Sequence, residues 1–392
     1  MKTRKRRKLK TWVKIVLAII IICIIILIFK GFRTNKTNNN KNDSNKKVLI
    51  KKNIIQKEES NELSMVMTGD CLLHKPVYSA ALQKDGTYSF KSMFEYISPL
   101  IKGKDLAYYN QESIIGGKSL GLSSYPRFNS PEEIGDDMVD MGFNMVSLAN
   151  NHTMDKNEVG VINSVNYWKT KPGVYYTGQA LSEEDRENNI KIKEKNGIKY
   201  AFFSYTTVTN GLLPSTGKEY LTNIYSDEKA KKDIEKVKGK VDLIIVAMHW
   251  GVEYTNNETE EQKKIASYLS SLGVNLIIGT HPHVIQPITY VNDTLVFYSL
   301  GNFISSQDSP DKLTGAIASL TINKKNNKIT FKDVKVNLIY TFFIRYSPYN
   351  YKLYPYEMVD TSILSSYKTY YEKYKTILTK EDSSVEVASI QW

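Results

Sequence analysis

The stretch VNLIIGTHPHVIQPI, residues 274–288, carries the pattern on which the fold of this 392-residue chain depends. Its apolar run at 274–278 predicts a buried strand, and the run ends directly in the polar segment at 279–283. Ligands of α/β sheets bind at the carboxyl ends of the strands. The stretch therefore predicts a strand that delivers two histidines, His281 and His283, to a binding site.

Short apolar runs of the same kind recur along the chain and alternate with segments that carry helix signals. The other predicted strands are residues 63–67, 105–109, 143–148, 200–204, 241–248 and 295–299. Helices are expected to begin at Ser130-Pro131-Glu132-Glu133, running to about Met141, at Ser226-Asp227-Glu228 and at Asn257-Glu258-Thr259. A late hairpin at 317–336 turns at Lys325-Asn326-Asn327. This alternation predicts an α/β domain, here a layered β-sandwich flanked by helices.

Polar side chains follow six of the seven predicted strands, so separate segments can converge on one site. The residues are Asp70, Asn110, Glu112, Asn151, His152, His249, His281, His283 and Asn302. Imidazole and carboxylate ligands suit Zn, Mn or Fe, and five or more such groups can hold two ions that share a bridging carboxylate. The set therefore predicts a divalent metal site that activates water against phosphorus.

Each of these residues has a structural alternative when it is considered alone. A single histidine after a strand is usually a hydrogen-bonded core residue. Asp70 also suits a turn or a helix cap, and Asn151 suits an Asx-turn. Only their shared position after apolar runs favours a metal site, so a domain whose histidines serve structure alone stays open.

A second pattern lies at the N-terminus. IVLAIIIICIIILIF, residues 15–29, is an unbroken apolar stretch with eight Lys/Arg residues before it and no small-residue cleavage site after it. The predicted segments are a cytoplasmic basic tail (1–11), a transmembrane signal anchor (12–29), a flexible basic tether (30–60), the main domain (61–340) and a Tyr-rich C-terminal extension (341–392) that packs on the domain or is partly mobile. Positive charge before the span keeps the N-terminus cytoplasmic. We therefore expect a single-pass protein of the cell membrane, embedded in the lipid bilayer, with an extracytoplasmic main domain.

The net charge of +12 is concentrated in the leading segments. Residues 1–57 carry +16, which leaves −4 on residues 58–392. A mildly acidic domain offers no basic surface for polyanions, whereas Lys and Arg beside an apolar run orient a membrane segment. The charge pattern therefore argues against nucleic acid as a partner.

Six longer motifs surround the predicted site residues and occur in one order. They are MTGDCLLH (67–74), YYNQESIIGG (108–117), SLANNHTMD (147–155), AMHWGVEY (247–254), GTHPHVIQPI (279–288) and YSLGNFISSQ (298–307). With them the chain resembles the CapA/PgsA family of poly-γ-glutamate capsule biosynthesis proteins, which looks like a branch of the calcineurin-like metallophosphoesterase superfamily. The resemblance covers about residues 63–340. It implies a calcineurin-like layered fold, divalent ions (Mn, Zn or Fe, one or two of them), an anionic polymer such as poly-γ-glutamate, and membrane-embedded capsule synthesis or export proteins as partners.

The resemblance also implies roles for individual residues. The metal ligands would be Asp70, Glu112, Asn151, His249, His281 and His283, with Glu112 bridging the ions. His152 would assist the leaving group as an acid, and His152 and Asp70 are the expected catalytic residues. The chain departs from the superfamily pattern at Leu72, where a histidine usually follows the aspartate, and His74 is the nearest substitute. Glu112 also stands where the wider superfamily has an aspartate.

Four residues are expected to contact substrate: His74, Asn110, Arg127 and Asn302. Arg127 lies in the polar loop GLSSYPRFNSP, residues 121–131, and its guanidinium can fork onto a phosphate or a carboxylate. The alternative for Arg127 is a solvated loop arginine, which is common on protein surfaces.

Three functions fit these expectations. We expect a membrane-anchored capsule biosynthesis protein that acts in synthesis or export of poly-γ-glutamate. One alternative is an active metal-dependent phosphoesterase of the cell envelope unrelated to this polymer, and the other is a non-catalytic scaffold that binds the polymer. The missing histidine at Leu72 argues against efficient phosphatase chemistry, whereas the other motifs argue for it.

Overall fold

The computed structural model describes residues 61–344 and 350–390. Within these ranges the strands are β1 (Asn61–Cys71), β2 (Leu106–Gln111), β3 (Met145–Ser147), β4 (Tyr175–Thr177), β5 (Lys193–Lys195), β6 (Ile198–Thr206), β7 (Leu243–His249), β8 (Leu276–Thr280), β9 (Ile288–Val291), β10 (Thr294–Phe297), β11 (Asn302–Ile304), β12 (Thr314–Lys325), β13 (Lys328–Ile344), β14 (Asn350–Pro355) and β15 (Glu386–Val387). The α-helices are α1 (Lys75–Ala81), α2 (Ser98–Ile101), α3 (Glu133–Met141), α4 (Asn157–Lys169), α5 (Glu183–Asn188), α6 (Asp227–Glu235), α7 (Glu260–Leu272), α8 (Pro310–Leu313) and α9 (Tyr367–Thr379). Short 3-10 helices lie at Lys91–Phe94, Lys118–Leu120, Glu219–Leu221 and Tyr356–Met358.

The described strands form two sheets. The large sheet has the order β14-β13-β12-β1-β2-β3-β4, with β11 paired to β1 and β15 paired to β13. The small sheet has the order β5-β6-β7-β8-β10-β9. Strands β1 to β4 are parallel, as are β6, β7, β8 and β10. Each sheet therefore has a parallel part whose strands all end on the same side.

Alternate residues of each central strand face different layers, because side chains alternate across a strand. Met65 and Met67 of β1 belong to the cluster between the two sheets, together with Ile245 of β7. Val66 belongs to the cluster between the large sheet and its helices. Val246 faces the other way, among residues of α6 and α7. The result is a helix-sheet-sheet-helix sandwich, which confirms the predicted α/β class with layered sheets.

Most local predictions agree with these elements. Each of the seven predicted apolar runs overlaps a strand, and the predicted hairpin is formed by β12 and β13, which turn at Asn326 and Asn327 with φ of 53° and 60°. Helices α6 and α7 begin with side-chain caps from Ser226 and Thr259. The cap predicted at Ser130 is wrong, because α3 begins only at Glu133 and the Ser130 hydroxyl instead donates to Ser113 Oγ at 2.8 Å.

The Tyr-rich C-terminal part contributes to the same core. Strand β13 continues past residue 340 to Ile344, so the predicted boundary at 340 falls inside a strand. Tyr356, Tyr371 and Tyr374 are buried in the cluster between the sheets. The tyrosine-rich helix α9 therefore covers apolar surface that the sheets would otherwise expose.

The predicted tail, anchor and tether at 1–60 lie outside the described residues. Among the described residues, none of the helices has the length and apolar character needed to cross a membrane.

Candidate metal centre

Asp70 lies at the end of β1, where that strand meets β11. The register places Asp70 opposite Asn302, and the Asp70 amide donates to Gly301 O at 3.0 Å. A Cβ added to Gly69 would lie 1.8 Å from that same carbonyl oxygen. A glycine is therefore required at position 69, because β1 and β11 must approach this closely to bring the carboxylate of Asp70 into the site.

The other ligand types follow the ends of neighbouring strands. Glu112 comes directly after β2, His249 ends β7, and His281 and His283 follow β8. Both of the last two residues have positive φ, 98° for His281 and 58° for His283. Such conformations cost non-glycine residues about 1–3 kcal/mol each and persist where the surrounding structure demands them. The backbone is thus bent to direct both imidazoles into one place.

One group of possible ligands centres on His249. Its Nε2 lies 3.0 Å from Asn151 Oδ1, 3.2 Å from His281 Nδ1 and 3.7 Å from Glu112 Oε1. Ligand atoms around an ion with bonds of about 2.1 Å are separated by roughly 3.0–3.4 Å. The spacing of these four atoms is close to that of a coordination shell.

The contacts of the other ring nitrogen orient His249. Its Nδ1 is 3.0 Å from Thr280 Oγ1. The Thr280 hydroxyl in turn donates a hydrogen bond to Met248 O at 3.4 Å. Nδ1–H then donates to Thr280, which leaves the Nε2 lone pair free. A partner of this kind behind a histidine is what fixes the tautomer of a metal ligand.

A second group joins Asp70, Glu112 and His283. His283 Nε2 is 3.6 Å from Glu112 Oε1, and its Nδ1 is 3.0 Å from Asn302 Oδ1 and 3.5 Å from Asp70 Oδ2. Glu112 belongs to both groups. Its carboxylate is therefore placed as a bridge between two positions.

The state of Glu112 tests whether these residues fit a cation. Its side chain is fully buried, and neither carboxylate oxygen has a hydrogen-bond partner in the described chain. A buried carboxylate without partners is strongly unfavourable, unless a cation or proton neutralises it. Burial accordingly raises the pKa of Glu112 well above its usual range. The chemistry of the surrounding donors, imidazole, carboxylate and amide oxygen, fits a divalent ion of the Zn, Mn or Fe type.

The histidines differ in their electrostatic surroundings. Burial lowers the pKa of His249 well below its usual range, and burial with neighbouring His283 lowers that of His281 to about 4. Both imidazoles are therefore neutral, which is the form that binds metal. Burial opposes charge on His283 too, but the carboxylates of Glu112 and Asp70 outweigh it and raise its pKa to about 9.

His152 stands beside this cluster and pairs with Asp155. His152 Nδ1 is 2.7 Å from Asp155 Oδ2, which also accepts from the Phe128 amide at 2.6 Å. The imidazole packs edge-on against the Phe128 ring, with centroids 4.7 Å apart. The carboxylate and the ring hold the imidazole in one orientation, as required of a group that transfers a proton at a defined atom.

A cavity of about 510 Å³ opens next to these residues, large enough for a small ligand or a short polymer segment. Arg127, His74, His152 and His283 contribute to its lining. The Arg127 side chain is exposed, and in the part of the chain that the structure describes no carboxylate lies within ion-pair distance of it. Burial lowers the pKa of His74 to about 4, and its Nδ1 accepts from the Ser306 amide at 3.3 Å. No ligand group among the described residues includes His74.

Asn110 and Asn302, predicted as substrate contacts, form hydrogen bonds with other residues of the site. Asn110 is fully buried, where its amide donates to Asp70 Oδ1 at 2.7 Å and its Oδ1 accepts from Ser147 at 2.7 Å. The Asn302 amide donates to Lys312 O at 2.8 Å while its Oδ1 faces His283. Buried amides must satisfy their polar atoms, and here they do so by orienting Asp70 and His283 from behind.

Three polar residues near the site were not predicted from the sequence: Asp155, Glu253 and Thr280. Asp155 follows His152 by three residues and Glu253 follows His249 by four, so proximity along the chain to a predicted ligand was the available signal. Glu253 forms a third possible ligand group with His281 and His283.

Comparisons with known proteins identify the family to which the chain is similar. Residues 64–307 match the family model described as bacterial capsule synthesis protein PGA_cap, a range that includes every residue of the two ligand groups. The PGA biosynthesis protein CapA of Bacillus subtilis (strain 168) is 28% identical over 290 residues, which are 70% of this chain and 72% of that protein. The capsule biosynthesis protein CapA of Bacillus anthracis is 27% identical over 267 residues, 64% of this chain and 62% of that protein.

Solved structures show a weaker likeness. A novel phosphatase of Mycoplasma pneumoniae has a TM-score of 0.44 and 16% identity, covering 72% of this chain and 95% of its own. A putative 5'-nucleotidase of Staphylococcus aureus has a TM-score of 0.42 and 12% identity, covering 79% of this chain and 58% of its own. At these TM-scores neither structure supports an inference about the activity of this chain.

Proposed function

Since this chain belongs to the bacterial capsule synthesis protein family PGA_cap, as its sequence motifs predicted, we propose that it acts in capsule polymer synthesis or export as a metal-dependent phosphoester hydrolase. The polymer we propose is poly-γ-glutamate. The names of its two Bacillus relatives, which refer to PGA and capsule biosynthesis, support the pathway. The site supports the chemistry.

The observation that carries the chemistry is the carboxylate of Glu112, whose two oxygens have no hydrogen-bond partner among the described residues. It is fully buried and belongs to two adjoining groups of possible ligands. A structural carboxylate would be paired. A carboxylate that bridges two divalent ions is neutralised by them instead.

Bound divalent ions lower the pKa of water and polarise a phosphoryl oxygen. The residues of the chain supply the remaining requirements. His152, oriented by Asp155, is the group that donates a proton to the leaving oxygen. Arg127 on the cavity lining is the group that binds an anionic part of the substrate. Phe128 packs its ring edge-on against the imidazole of His152.

The cellular setting is part of the proposal. The apolar stretch at 15–29 with its basic flanks supports a single-pass anchor in the lipid bilayer and an extracytoplasmic main domain. Membrane-embedded capsule synthesis or export proteins would then be within reach as partners. The charge of −4 on residues 58–392 gives no bulk attraction for a polycarboxylate, so the cleft itself must provide the binding.

The test uses the full-length protein in detergent. Metal content is measured by elemental analysis, and hydrolysis is measured with p-nitrophenyl phosphate and bis(p-nitrophenyl) phosphate. We expect bound Mn, Zn or Fe in the wild type and none in His281→Ala/His283→Ala. His152→Ala should keep the metal and the circular dichroism spectrum, yet lose about 10²–10⁴-fold in kcat/KM.

A second function has one observation in its favour. Leu72 is buried and lines the cavity with an apolar side chain near the ligands. A wall of this kind suits holding a polymer better than it suits water activation. Stoichiometric metal together with no hydrolysis of either phosphoester would favour this non-catalytic, polymer-binding scaffold.

A further inference from the structure

The loop that follows β7 is tied to the segment that carries the paired histidines. The Trp250 amide donates to Thr280 O at 3.1 Å, and the Tyr254 amide donates to Pro282 O at 2.8 Å. The Trp250 indole donates to Tyr298 O at 3.0 Å. Both ends of this short loop are therefore held, and the residues between them have a defined position beside His281 and His283.

Two left-handed residues give the loop its shape. Gly251 has φ of 89°, and a Cβ there would lie 2.6 Å from the Gln262 side chain. Tyr254 has φ of 64°, which is uncommon for an aromatic residue. These conformations turn the chain so that Glu253 faces the cavity, which it lines together with Leu72 and His283.

The carboxylate of Glu253 is close to the ligand atoms of both paired histidines. Its Oε1 is 4.0 Å from His283 Nε2, the same nitrogen that lies 3.6 Å from Glu112 Oε1. The ligand atoms of Glu253, His281 and His283 all lie within 4.8 Å of one another. In the described chain, no lysine or arginine lies within ion-pair distance of Glu253. The carboxylate of Glu253 is therefore not part of a surface ion pair with a lysine or arginine of the described chain.

The two ligand positions are unequally supplied with donors. The position around His249 has Asn151, His281 and Glu112. In the described chain, the group that joins His283 to Asp70 has the shared Glu112 as its one further member. Leu72 borders that second position but has no donor atom, and the Nδ1 atom of His74 is engaged by the Ser306 amide.

We propose that Glu253 is the additional ligand of the ion held by Asp70, Glu112 and His283. It joins the shell from the cavity side, where its side chain is 41% exposed. A third carboxylate also offsets more of the charge of two divalent ions in a buried site. The inference rests on the metal centre of the proposed function and makes no use of turnover.

The test is Mn²⁺ binding by metal-free full-length protein, followed through the electron paramagnetic resonance signal of free Mn²⁺. Glu253→Gln keeps the size of the side chain and removes its charge. We expect wild type to bind two equivalents and Glu253→Gln to bind the second at least tenfold more weakly. The matched control is Glu261→Gln, an exposed glutamate at the start of α7, which should bind like wild type.

Thermal melts in chelator show whether Glu253→Gln folds like wild type. The two melting temperatures should be equal, because the partly exposed Glu253 side chain is not expected to affect the metal-free fold. Equal stoichiometry and equal affinity in Glu253→Gln and wild type would overturn the assignment of Glu253 while leaving the proposed function intact. A wild type that binds no Mn²⁺ would overturn both. The two failures are thus distinguishable.

Discussion

The replacement Glu112→Gln tests the central feature of the site, a buried carboxylate without a hydrogen-bond partner among the described residues. Without metal, the buried carboxylate must either stay ionised, at a cost of several kcal/mol, or take up a proton through its raised pKa, whereas an unsatisfied neutral amide costs about 1–3 kcal/mol. The variant should therefore melt at the same temperature as the wild type or higher. With metal at about 100–1,000 times its Kd, the wild type gains about 2.7–4.1 kcal/mol. At roughly 2 °C per kcal/mol for a domain of this size, its melting temperature rises by roughly 5–8 °C.

Circular dichroism melts in chelator and in excess Mn²⁺ measure both effects. The variant should show no rise with Mn²⁺. Glu258→Gln is the control, because that side chain is only 7% exposed but lies 3.4 Å from Lys263, outside the ligand groups. A Glu112→Gln protein that melts below wild type in chelator and keeps the rise with Mn²⁺ would refute the reasoning.

Three further changes test other parts of the structure. The pKa of His283 is raised to about 9, so in chelator the stabilisation from its charge is complete below about pH 6.5 and is lost as the pH rises through 9. Thermal melts across pH 6–10 should show this decline in wild type and not in His283→Gln. The apparent metal affinity of wild type should increase over the same pH range. Asp155→Asn should retain metal but lower kcat/KM by about 10²-fold, because His152 loses its orienting carboxylate; unchanged kinetics would contradict that role. Gly69→Ala should destabilise the protein by about 3 kcal/mol or more in denaturant titrations, whereas Gly173→Ala, which meets nothing within 4 Å, should have little effect.

The predicted strands and their polar ends came from short-range patterns, and those patterns were sufficient. An apolar run followed at once by a charged or polar residue identifies a strand end without reference to the rest of the chain. Asp70, Glu112 and His249 were found in this way, and the structure places them within one cluster. The layered arrangement was also predicted from local patterns, namely the alternation of strands with helices and the late hairpin.

The roles of the supporting residues could not be read from the sequence. Whether an asparagine after a strand faces substrate or a neighbouring ligand depends on distances across strands, such as the 2.7 Å between Asn110 and Asp70. Glu253 likewise acquires its meaning only because the Tyr254 amide reaches Pro282, 28 positions later in the chain. Local patterns carry no information about such contacts, and the cap predicted at Ser130 was wrong because the helix begins only at Glu133.

Several features that disfavour the metal-free fold meet at this site. His281 and His283 have left-handed backbones, and Glu112 has no hydrogen-bond partner in the described chain. Each of these costs stability, and sequences retain such costs where a function depends on them. A bound cation would neutralise the carboxylate of Glu112 and bind the lone pairs of the neighbouring imidazoles, because each of these groups would become a ligand. Folding and metal binding are therefore expected to be coupled, so that removal of a single ligand weakens the metal-bound protein far more than the metal-free one.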